Sequence, residues 1–184
     1  TFVQQCLEET SLRAVLLLGT QGGFIDVPAR ISVNPKAVIP LTPSGDLSLP
    51  LWYFAGETRM PTVAFMEQEL SNVITRQMET CMKRLNDPAF TNQFTFSFPK
   101  TVTTDVRIDD RAVFVQFSYP LTAAKEETRF SFATFSQRLD VKLGKMFELA
   151  KDVFYAEDQG MFLEDLTIEL MTAGSGRPPD DVPF

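Results

Sequence analysis

Histidine is absent from the chain, which removes the commonest general base, Ser-His and Cys-His nucleophile pairs and the His-containing zinc sites. Cysteine is nearly as scarce: Cys6 and Cys81 are the only two, and Trp52 is the single tryptophan. Long hydrophobic runs are missing too. The longest aliphatic stretch, Ala14-Val15-Leu16-Leu17-Leu18, falls far short of the ~20 residues that cross a bilayer. Basic charge is in deficit, 17 Lys and Arg against 24 Asp and Glu for a formal charge of −7. No basic stripe interleaves with aromatics, so the balance argues against a nucleic-acid partner, which needs clustered cations. The opening Thr1-Phe2-Val3 carries no initiator Met, basic leader or cleavage site. It is expected to be the start of a processed or trimmed chain whose targeting information lay upstream.

What the chain does have is phenylalanine. Seventeen of its 184 residues are Phe, and 44% are hydrophobic, enough to build the core of one ordinary domain. Each buried Phe is worth about 1.5–3 kcal/mol relative to exposure. The expected organisation is one α+β domain over 1–172, followed by a Gly/Pro-rich tail over 173–184.

Three stretches have helical periodicity. From Phe2 to Leu18, Val3, Cys6, Leu7, Ala14 and Leu18 recur at spacings of three, four and seven. Gly19 and Gly22-Gly23 stop this helix. From Pro61 to Leu85, an unbroken stripe runs through Val63, Met66, Leu70, Val73, Ile74, Met78, Cys81 and Leu85, with Pro61 suited to the first turn and Pro88 beyond the end. A third helix is expected from Val141 to Phe154, with Met146, Leu149, Ala150 and Val153 facing inward and Asp140 as its cap.

Elsewhere the period is two. Phe94, Phe96 and Phe98, then Thr104, Val106 and Ile108, then Val113, Val115, Phe117 and Tyr119, then Phe130 and Phe132 alternate with polar residues. Asp109-Asp110 reads as a tight turn and Ala123 to Glu127 as a looser one. Short polar turns make this an antiparallel meander of about four strands, packed against two or three amphipathic helices, the Pro61 helix covering one face. Phe24-Ile25-Asp26-Val27 and Leu163 to Met171 read as further short strands. The Pro-rich stretch Ile31 to Pro50 reads as an edge ribbon or surface excursion with Ser44-Gly45-Asp46 at the tip. Leu51-Trp52-Tyr53-Phe54 reads as an aromatic strand closed by Gly56.

Several segments carry candidate chemistry beside a plainer reading. Gln21-Gly22-Gly23 is a phosphate cradle or a helix stop; it lacks the phosphate-loop spacing and follows a helix, which favours the stop. Asp105, Asp109 and Asp110 lack the EF-hand spacing and read as a solvated turn. Arg138, Lys142 and Lys145 form a small basic face, too few charges for recruitment to anionic lipid. Trp52 and Tyr53 are the candidate partner-binding residues, since rigid aromatics with a polar handle dominate binding hot spots, although one face of that strand is expected to be core. Cys6 and Cys81 lie on the inward stripes of two helices, either bonded or as two buried free thiols.

Taken in order, Cys6-Leu7-Glu8-Glu9, Leu18-Gly19-Thr20-Gln21-Gly22-Gly23, Leu49-Pro50-Leu51-Trp52-Tyr53-Phe54-Ala55-Gly56, the Pro61 helix ending near Cys81, Phe117-Ser118-Tyr119-Pro120 and Arg138 to Lys145 resemble a family of uncharacterised archaeal proteins. Thr20 departs from that pattern, which has a bulkier residue there. Members are usually encoded with a membrane-spanning helix just before this part. The resemblance implies a single-pass protein with its soluble part on the extracellular side of the membrane, and it favours a Cys6–Cys81 disulfide. The expected function is then an interaction or assembly module of the cell envelope, binding a protein partner or forming a homo-oligomer. The alternative is a carboxylate-dependent cell-surface hydrolase acting on glycans or peptides. Neither a cofactor, a metal nor a catalytic residue is expected from these patterns.

Overall fold

The computed structural model describes residues 2–98 and 101–175. Contacts divide the chain into two compact units, 1–143 and 144–184, so the boundary falls inside the segment read as one domain. The fold is α+β, with helices packed on an antiparallel sheet.

Helix α1 (Phe2–Thr20) buries Val3, Cys6, Leu7, Ala14 and Leu18 together with the small polar residues Thr10 and Ser11. It ends in a Schellman motif. The Gly23 N–H donates to the Leu18 carbonyl and the Gly22 N–H to the Gly19 carbonyl, with Gly22 at φ 64°. Glycine is required at both positions: a Cβ on Gly23 would lie 2.6 Å from Pro61 Cγ, and one on Gly22 2.8 Å from Leu49 Cδ1.

Helix α3 (Val63–Met82) buries the expected stripe of Met66, Leu70, Val73, Ile74 and Met78, and Lys83–Asn86 adds a 3₁₀ turn with Leu85 buried. It starts at Val63, two residues after Pro61. Thr62, not Pro61, sets the boundary, its hydroxyl accepting from the Phe65 N–H at 3.1 Å. Pro88 opens a further four-residue helix, α4 (Pro88–Thr91), capped by Asp87.

Between α1 and α3 the chain forms helix α2 (Ala29–Ser32), the ribbon β1 (Val38–Pro40) with β2 (Ser48–Pro50), and the ribbon β3 (Tyr53–Phe54) with β4 (Glu57–Thr58). Ser44-Gly45-Asp46 lies at the tip of the first ribbon, as its turn residues predict. Ala55 and Gly56, both at positive φ, turn the second. Phe24-Ile25-Asp26-Val27 is not a strand. Gln21 takes the Phe24 and Ile25 carbonyls and Glu69 takes the Asp26 N–H, so these backbone groups are committed to side chains.

The main sheet contains β5 (Thr95–Ser97), β6 (Thr103–Ile108), β7 (Val113–Lys125) and β8 (Thr128–Leu139), all antiparallel. One edge of β7 pairs with β6 and then β5; its other edge pairs with β8 throughout. Val113, Val115, Phe117, Tyr119, Leu121 and Ala123 are buried on one face, with α3 over β6 and α1 over β8. The loose turn expected over Ala123 to Glu127 is instead a two-residue turn, Glu126-Glu127. Ala123 and Ala124 belong to the ladder, opposite Phe130 and Arg129.

One irregularity shapes this sheet. Between Ser118 and Leu121 the β7–β8 register shifts by one residue. Unshifted, Leu121 would face Ser131 and Ala123 would face Arg129. The bulge at Tyr119-Pro120 substitutes Phe132 and Phe130. Pro120 belongs there because it has no N–H to give a ladder.

The second unit contains α5 (Leu143–Gly160) and α6 (Phe162–Ser175), separated by Met161 at φ 46°. Several expectations are corrected here. Leu163 to Met171 is helical: Leu163, Leu166 and Leu170 follow spacings of three and four, and Glu164 and Asp165 in the first turn suit a helix N-terminus. On α5, Met146, Leu149, Ala150 and Val153 are exposed, Met146 at 65%. An apolar stripe states that a face is greasy; it does not supply the partner that covers it. Asp140 is not a cap, since the helix begins at Leu143 and the Asp140 carboxylate accepts from Arg138 Nε at 2.8 Å. Residues 173–175, placed in the tail by composition, complete α6, and 176–184 lie outside the described residues.

Candidate functional site

Cys6 and Cys81 form a disulfide between α1 and α3, their Cα atoms 6.4 Å apart. That distance lies in the usual range for a bridge. A structural disulfide is compatible with an extracellular location.

Trp52 and Tyr53 do not share a surface. Alternation along the strand sends Trp52 and Phe54 into a small cluster built on Phe24, Ile31 and Ala37, where Trp52 Nε1 donates to the Gly22 carbonyl at 2.9 Å. Tyr53 points the other way and is 49% exposed. Gln21, buried beside this cluster, joins it to the first ribbon through the Ser48 N–H.

A concave feature of different chemistry lies elsewhere, where α1 and α4 meet β5 and the β7–β8 hairpin. It is an apolar groove of about 400 Å³. Phe2 of α1 lies tilted against Phe90 of α4, with ring centroids 5.1 Å apart; Phe94, just before β5, and Phe96 on it follow; Phe132 and Phe135 approach at 6.0 Å on β8. Val3, Leu85, Leu121 and Ala123, all buried, lie beneath. Two cations border it: the Arg84 guanidinium sits 5.7 Å from the Phe2 ring and Lys125 Nζ 5.9 Å from the Phe94 ring. The register shift sets the groove's β8 wall, because without it Ser131 and Arg129 would replace Phe132 and Phe130.

Two further recesses contain charged side chains. On the outer sheet face, Phe114 lies between the guanidinium groups of Arg107 and Arg138, at 5.3 and 5.7 Å, and these pair with Asp109 and Asp140. A second recess along α3 and β6 contains Asp26, Glu69 and Arg76, with Asp26 paired to Arg76 at 3.2 Å. Asp105, Asp109 and Asp110 do not come together with Glu126 and Glu127, which turn the opposite end of β7. Among the described residues no three of Cys, Asp and Glu are placed to hold a metal ion together, and no helix is long and apolar enough to cross a membrane.

Residues outside the sequence candidates thus form the groove. Pro120 inside an alternating run was the available signal, since proline in a strand marks a bulge or an edge. The convergence of Phe2, Phe90 and Phe130 from three distant segments left no local trace. No protein-family profile, curated protein or solved structure matches the chain.

Proposed function

We propose that this chain is a protein-interaction module of the cell envelope, facing outward and anchored through a segment upstream of Thr1, and that its docking site is the phenylalanine groove. The single observation that carries this reading is the groove's chemistry: Phe rings on three sides, buried aliphatics beneath, and two cations at the border. A protein segment with aromatic or aliphatic anchors and acidic flanks complements it. The apolar anchors would leave water, which is where binding energy concentrates, and the flanks would meet Arg84 and Lys125. The Cys6–Cys81 staple supports the outward location.

The test is a peptide-display selection on the purified domain, run beside a hydrolysis screen with glycan, peptide and ester substrates. The expected ligands contain apolar anchors with flanking Asp or Glu, and Phe96→Ser or Arg84→Glu removes their binding while the fold is kept. Turnover abolished by replacing one carboxylate would overturn the reading, as would ligands indifferent to both substitutions.

A further inference from the structure

Arg59 follows β4, and its guanidinium is held on two sides. Cζ lies 5.4 Å from the Phe54 ring centroid, and Nη2 donates to Glu57 Oε2 at 3.1 Å. The side chain is only 18% exposed. Nη1 is fully buried, and among the described residues it has no hydrogen-bond acceptor. A guanidinium presents five N–H donors and does not give up its proton in a protein, so an orphaned Nη1 is costly. Native proteins rarely leave such a donor unsatisfied without a water, an ion or a ligand to account for it.

Arg59 lines a recess of about 390 Å³ together with Arg30 of α2, Glu57, Thr58 and Met60. Among the described residues Arg30 forms no ion pair. Glu57 is the one carboxylate in this lining, and its side chain is 72% exposed, so water screens its hold on Arg59. The balance makes the recess cationic in a chain whose formal charge is −7.

We infer that this recess binds an oxyanion, a carboxylate, sulfate or phosphate group, between Arg30 and Arg59, with the Thr58 hydroxyl as a further donor. The planar N–H forks of the two arginines match the paired oxygens of such a group. Turning on the Phe54 ring, the Arg59 guanidinium exchanges its screened Glu57 contact for the anion and gives Nη1 an acceptor in the same step. Other ligand classes fit less well. Met60 is the one apolar side chain in the lining, too little to anchor a greasy group, and a lone carboxylate beside two guanidiniums does not hold a metal cation. Tyr53 is the cross-strand neighbour of Thr58 and is 49% exposed, which sets its phenol beside whatever carries the anion. This site shares no lining residue with the phenylalanine groove.

Heteronuclear NMR of the full chain, disulfide intact, tests it by following arginine Nε–H and backbone amide signals during titration with sodium sulfate, phosphate and acetate. Sodium chloride at matched ionic strength is the reference. A saturable shift centred on Arg30, Thr58 and Arg59 is expected with at least one oxyanion and not with chloride. Tightest binding by sulfate or phosphate assigns a tetrahedral group, and tightest binding by acetate assigns a carboxylate. Arg30→Gln or Arg59→Gln should raise the dissociation constant about tenfold or more, as expected for the loss of a charge-assisted contact. Glu57→Gln should lower it, because the competing carboxylate is gone, and Arg76→Gln, on α3, should leave it unchanged. Circular dichroism checks that each variant folds; should Arg59→Gln unfold, Arg30→Gln and Glu57→Gln still decide. The absence of a saturable shift overturns the inference, as does an equal response to chloride. Binding that Arg30→Gln leaves intact, or that Glu57→Gln fails to tighten, overturns it too.

Discussion

Gln21 accepts a hydrogen bond from the Ser48 backbone N–H through Oε1 at 3.1 Å, and its Nε2 donates to the Ile25 carbonyl at 2.8 Å. One buried side chain therefore links the exit of α1, the irregular segment after it and the first ribbon. Gln21→Leu keeps the bulk but leaves these backbone groups without their partner. Each such buried group costs about 1–3 kcal/mol, so the variant should lose at least 2 kcal/mol in a denaturant titration. An unchanged midpoint would mean that solvent or a neighbour replaces the amide.

The disulfide closes a loop of 75 residues in sequence separation. In the chain-entropy description that constraint is worth about 4 kcal/mol. Cys6→Ala with Cys81→Ala should therefore lower unfolding free energy by that order and leave the sheet intact at low temperature. Thiol labelling of the denatured, unreduced protein should give no adduct; two adducts per chain would contradict the bridge.

Burial pushes the Tyr119 phenol up from its ordinary value, with Glu79 adding to the effect. The sign follows from which form the fold prefers. A folded-state value above the unfolded one means that the neutral phenol is favoured in the native chain. Its contribution is complete below pH of about 10 and is lost as pH rises through the raised folded value. Absorbance titration should show one tyrosine ionising late, absent in Tyr119→Phe, and that variant should lose less stability in alkali.

Deleting Pro120 should restore an even ladder between β7 and β8. Leu121 and Ala123 would still oppose Phe132 and Phe130, but with one residue fewer after Tyr119 the alternation of β7 reverses, turning Leu121 and Ala123 away from the greasy side of the sheet and Thr122 and Ala124 toward it. A cost of about 2–4 kcal/mol is expected from the buried contacts that Leu121 and Ala123 lose. Binding of a hydrophobic dye at the groove should fall in parallel. Retained dye binding with wild-type stability would show that the groove does not depend on the shift.

Much of the fold was legible because the stripes were long. The α3 stripe and the period-two runs through β6 and β7 leave little choice of element, and the wish to cover the greasy face predicts helices on it. Short runs were ambiguous: Leu166, Ile168 and Leu170 alternate, but Leu163, Leu166 and Leu170 also follow a helical path, and the latter pattern prevailed. Phe24-Ile25-Asp26-Val27 failed for another reason, as its backbone groups were claimed by Gln21 and Glu69 from outside the segment. Splitting Trp52 from Tyr53 followed from strand alternation. The groove was not legible, because its Phe residues meet only after α1, α4, β5 and β8 have been placed, and because a one-residue shift decides which β8 side chains reach it.

The bridge from Cys6 to Cys81 also fixes how the first unit would carry tension. A pull entering at the N-terminal end passes through four residues of α1 and then crosses directly to α3. Residues 7–80, including both ribbons and the Trp52 cluster, lie off that path. They are a covalently closed bight, not a link in the cable. Stretched between its ends, the chain should therefore yield roughly 250 Å less contour than its residue count implies, at about 3.3–3.6 Å per residue, until a reductant opens the bond.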